Sequence, residues 1–94
     1  MADTTPVDAI IYTSTHCPDC RRTKMFFDSS GITYREVNVE EDSDALDLLR
    51  AMGETRVPVG VAGDLRWSGQ RPDMIVRLTS QLRREREEAR TTAA

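Results

Sequence analysis

Between residues 7 and 82 the chain alternates strand-like runs with helix-like runs, and that order leaves few folds open to it. VDAIIYTS (Val7 to Ser14) is apolar, β-branched and aromatic, and polar residues close it on both sides. It reads as a buried strand. PDCRRTKMFFDSS follows as a helix, with Pro18 suited to the first turn, Gly31 to the stop and Thr23, Phe26 and Phe27 on an inward face. ITYREVNVE (Ile32 to Glu40) alternates as a second strand. EEDSDALDLLRAMGE opens with acidic residues that suit a helix N-terminus. It then places Ala45, Leu46, Leu48, Leu49 and Met52 at amphipathic spacing before Gly53. RVPVGVAGDLRWSG (Arg56 to Gly69) reads as two short strands turning at Ala62 to Asp64. Pro58, near the start of the first, limits pairing there to a strand end or edge. RPDMIVRLTSQLRR forms a last helix, with Pro72 in its first turn and Met74, Ile75, Leu78 and Leu82 inward.

Two strands joined through a helix run parallel in one sheet, and a closing hairpin adds antiparallel strands. The expected architecture is α/β: a four-stranded mixed sheet in the order βαβαββα, with three helices covering both faces. Ninety-four residues support one domain, placed at 1–82. Residues 83–94 read as a charged, partly disordered tail.

A net charge of −3 argues against nucleic acid or an anionic membrane surface as partner. No apolar run is long enough to span a bilayer. MADTTPVDAI lacks the basic and apolar parts of a secretory signal, so the expected compartment is the cytoplasm. Two close thiols in that compartment point to redox or metal chemistry before a structural disulfide.

Those thiols are Cys17 and Cys20, the only cysteines, in THCPDCRR. The loop after the first strand delivers Cys17 to the start of the first helix. Unpaired N–H groups and the helix dipole favour an anion there, so Cys17 should ionise readily. Arg21, Arg22 and His16 add to that effect, and Asp19 opposes it. Cys20 lies one turn along and further inside. The asymmetry suits Cys17 as nucleophile and Cys20 as resolving thiol. Two other readings stand beside this one. The pair is merely packed, or it holds zinc with His16 as a third soft ligand. A Cys-x-x-Cys beside a βαβ pattern favours redox chemistry, with no metal.

The chain resembles glutaredoxin-like members of the thioredoxin superfamily, most closely the NrdH-type redoxins. CPDC after IIYTSTH, the RVPV loop and AGDLRWSGQRPDMIVRL carry the likeness over residues 8 to 82. The resemblance implies a thioredoxin fold and dithiol–disulfide exchange with protein disulfides. It implies ribonucleotide reductase of class Ib or another disulfide-bearing protein as client, and thioredoxin reductase as electron source. It also implies a monomer with no cofactor beyond the Cys17–Cys20 disulfide. Pro58 is expected cis, and Val57 is expected to offer its backbone to an extended client. Pro18, His16, Trp67, Ser68, Gly69 and Arg71 are expected around the partner-binding surface. For Trp67 a plain core position is the competing reading, and for Arg71 and Asp73 it is the ordering of the last helix. Asp19 stands where ordinary glutaredoxins carry tyrosine, and SGQRPD stands where they carry a glycine pair and acidic residues. Both departures count against a glutaredoxin dependent on glutathione or mycothiol. A [2Fe–2S] cluster-binding protein is the third alternative.

Overall fold

The computed structural model describes residues 6–92. Seven elements follow one another: β1 (Ala9–Thr13), α1 (Pro18–Ser29), β2 (Tyr34–Asn38), α2 (Ser43–Ala51), β3 (Val59–Ala62), β4 (Leu65–Ser68) and α3 (Pro72–Thr92). The sheet has the order β2-β1-β3-β4. β1 and β2 are parallel, with Ala9 opposite Tyr34 and Thr13 opposite Asn38. β3 runs antiparallel to β1 and to β4. This is the expected mixed α/β arrangement, a thioredoxin-like fold.

Local chemistry sets the element ends. α1 closes in a Schellman turn: the Ile32 N–H donates to Phe27 O at 2.9 Å and the Gly31 N–H to Asp28 O at 3.3 Å. Gly31 takes the left-handed conformation this turn needs, with φ +70°. α2 ends the same way through Gly53, and starts with the Asp42 side chain accepting from the Ala45 N–H at 3.0 Å.

Alternation along β1 and β3 splits the core between the two sheet faces. Ala9, Ile11, Phe27, Ile32, Ala62, Trp67, Ile75 and Leu78 fill the face under α1 and α3. Val39, Ala45, Leu49 and Val59 fill the face under α2. Phe27 is buried while Phe26, expected beside it, lies at the surface. Leu48 is also exposed, because α2 turns Ala45 and Leu49 inward. Thr13, fully buried, donates to Glu36 Oε2 at 2.8 Å, and Lys24 Nζ meets both Glu36 oxygens at 3.1 Å. Partial burial raises the Glu36 carboxyl, but the hydrogen bonds from Thr13 and Lys24 and the Lys24 charge outweigh it and hold it below the usual range.

The last helix does not stop where its apolar spacing does. It continues through residues 83–92, expected as a frayed tail, while residues 93–94 lie outside the described residues. Arg, Glu and Ala propagate a helix that is already nucleated, and no Gly or Pro interrupts them. Gln81 bonds Glu85 one turn on at 3.2 Å, and Arg86 reaches back to Asp8 at 3.3 Å.

Candidate active site

Cys17 is the N-cap of α1, in extended conformation, and its Sγ accepts the Cys20 N–H at 3.1 Å. Pro18, exposed at the first helical position, carries no N–H, so Asp19 and Cys20 supply the first free donors. The two sulfurs form a disulfide with Cα atoms 5.2 Å apart. Cys17 is half-buried, whereas Cys20 is 2% exposed. Of the two residues, Cys17 is therefore the one open to the outside.

The loop entering Cys17 is tied to β2. The Thr15 N–H donates to the Glu40 carboxylate, and Asn38 Nδ2 donates to Thr15 Oγ1 at 3.2 Å. His16, exposed, makes the turn with φ +58°, a region that histidine tolerates better than most residues. Among the described residues no three His, Cys, Asp or Glu side chains gather in a group that could hold an ion.

On the other side stands the Val57–Pro58 peptide, which is cis. The β1–β3 register pairs Tyr12 with Val59, so Val57, two residues before that pair, leads into β3 at the end of the sheet where β1 gives way to the loop that carries Cys17. Pro58 is buried, and its carbonyl accepts the Gly69 N–H at 2.8 Å. Gly69 sits at φ +79°, which lets the chain turn from β4 towards α3 while keeping that bond. Ser68, exposed, pairs with Val59. The main chain of Arg56 and Val57 has no hydrogen-bond partner among the described residues.

Trp67 answers to its competing reading. It is 4% exposed, its ring meets Phe27 edge-on at 6.2 Å, and a Cβ added to Gly60 would overlap the indole. Its Nε1 is buried without a partner among the described residues. The ring is core. Arg71 is exposed and grips Asp73 with two hydrogen bonds of 3.0 and 2.8 Å. The Arg71 hydrogen bond holds the Asp73 carboxyl below its usual range. That pair lies at the first turn of α3, where an acidic side chain suits the helix dipole.

Comparison with known proteins fits this geometry. The glutaredoxin family model matches residues 9–65, more than half of the chain. The chain belongs to the glutaredoxin family. Within it the kinship is to NrdH redoxins. The glutaredoxin-like protein NrdH of Salmonella typhimurium is 52% identical over 68 residues, covering 72% of this chain and 84% of that protein. The NrdH protein of Escherichia coli K12 is 46% identical over the same shares. The solved E. coli NrdH-redoxin superposes with TM-score 0.73 at 44% identity, covering 74% of this chain and 92% of that one. This NrdH-like redoxin is thus a thiol–disulfide oxidoreductase, and Cys17 and Cys20 form a disulfide in it.

Two residues that shape the site escaped the sequence. Glu40 orders the Cys17 loop, and the parallel register of β1 with β2 would have pointed to it, two steps beyond the Thr13–Asn38 pair. Arg56 lies over the β4 turn, with Cδ 4.0 Å from where a Gly69 Cβ would stand. Nothing local in the sequence signals that contact.

Proposed function

We propose that this redoxin is a dithiol reductase of protein disulfides, re-reduced by thioredoxin reductase, with class Ib ribonucleotide reductase as its leading client. The observation that carries this reading is the unequal pair: an accessible Cys17 sulfur at a helix start, hydrogen-bonded by the Cys20 N–H, above a buried Cys20. In the reduced protein that N–H and the helix dipole favour the Cys17 thiolate. The thiolate attacks one sulfur of the client disulfide, forming a mixed disulfide and releasing the other client sulfur as thiolate. The Cys20 thiolate then attacks Cys17 Sγ, closing the internal disulfide and expelling the reduced client. Both electrons leave from the two sulfurs, so no organic cofactor takes part. The protein works as a monomer in the cytoplasm. The thioredoxin-like activity profile named for the E. coli relative supports thioredoxin reductase as donor.

The test is NADPH oxidation with a small disulfide substrate in two arms, one with thioredoxin reductase and one with glutathione and glutathione reductase. Turnover in the first arm alone is expected. Turnover in the second alone would make the protein a glutathione-dependent glutaredoxin. Cys17→Ser should abolish turnover. Cys20→Ser should accumulate mixed disulfides, visible by mass spectrometry, and full turnover by that variant would refute the dithiol mechanism.

A further inference from the structure

A cleft of about 390 Å³ opens beside Val57, on the α2 side of the sheet. Val39, Leu46, Leu49 and Val57 line it with apolar surface, and Arg50 and Arg56 stand among them. Val57 and Arg56 also present unpaired main chain, at the end of β3 that faces the Cys17 loop. Extended polypeptide can pair there, continuing the sheet ladder.

The charge of the cleft is one-sided. Glu54 is its one lining carboxylate, and Arg66 engages that group at 3.6 Å. Arg50 and Arg56 have no ion-pair partner among the described residues, although the chain as a whole carries −3. An unopposed guanidinium beside unpaired main chain is suited to a carboxylate, because it offers planar paired donors.

We propose that Arg56, aided by Arg50, reads an acidic side chain in the client segment that flanks the reducible disulfide, while an apolar side chain of the same segment enters the cleft. The occupant is a protein segment because free main chain, apolar surface and cations lie together in one cleft, at the end of β3 that adjoins the close of β1. The inference rests on the reading of the protein as a reductase of protein disulfides.

The test uses full-length protein reduced chemically and freed of reductant, so that no reductase enters the assay. Two synthetic peptides carry the same internal disulfide beside a leucine and differ only in glutamate against glutamine at the flanking positions. Rates are followed by stopped flow at low salt. The glutamate peptide should react about fivefold faster, the scale of one or two exposed charge pairs, and added salt should shrink the ratio. Arg56→Gln should bring the ratio near one, and Arg56→Glu should invert it. Each variant is compared with itself across the two peptides, so a general loss of folding or reactivity cancels. A ratio near one in the unaltered protein, or a ratio that survives Arg56→Gln, overturns the proposal. An Arg56→Gln variant that reacts more slowly with oxidised glutathione while its peptide ratio stays unchanged assigns the cation to a small thiol and also overturns it. Failure to reduce either peptide or a neutral small disulfide would instead sink the reductase reading beneath it.

Discussion

The two faces of the sheet are built to different standards. Under α1 and α3, Phe27, Trp67, Ile75 and Leu78 interlock, and Gly60 leaves room for the indole. Under α2 the buried set is Val39, Ala45, Leu49 and Val59, smaller in number and in volume, and Leu46 and Val57 are only half-buried. The first face holds α1 in place, and with it the N-cap position of Cys17. The second leaves an open cleft beside the loop that faces Cys17. One face packs closed behind the disulfide, and the other keeps open the surface proposed above for a client.

Substitutions can break that contrast. Trp67→Ala should cost about 3–5 kcal/mol of unfolding free energy, as for other large core truncations. Urea denaturation reads this directly. An unmoved midpoint with a raised KM for a protein client would make Trp67 a contact residue and end the claim of a closed face. Leu46→Ala, on the cleft, should cost only about 1 kcal/mol, since the side chain is already partly exposed and the site can relax. Its larger effect should be a raised KM for peptide clients. Equal stability losses at Trp67 and Leu46 would erase the distinction.

The smallest effect concerns the rim of the closed face. Glu36 has a lowered carboxyl in the fold, so its contribution is present above the unfolded value near 4.5 and fades as pH falls through the folded value. Lys24→Met removes one cause of that lowering. The variant should be about 0.5 kcal/mol less stable at neutral pH, the scale of a partly exposed pair, and should converge with the parent in acid. A gap that widens towards low pH would contradict the pairing.

Most of the fold was legible because its signals are local. Pro18, Gly31, Asp42 and Gly53 mark element ends by their own backbone and side-chain chemistry, and β1 carries its burial as a short apolar run. What stayed hidden depends on partners distant in sequence. The surface position of Phe26 follows from α1 turning Cys20, Thr23 and Phe27 inward, and the burial of Trp67 from Gly60 across the hairpin. α3 outran its apolar pattern because beyond Leu82 only propensity and spaced charges maintain it, and neither leaves a period to read. In the site, the cysteines announced themselves by spacing, whereas Glu40 and Arg56 act through register and a turn.

The Arg86–Asp8 bond has a practical bearing. It fastens the approach to β1 against the far part of α3, at the end of the sheet opposite the Cys17 loop. A tether joined near either residue would anchor the molecule by its inert pole. On an electrode or bead the sulfur would then face outward, whichever of the two attachment points is chosen.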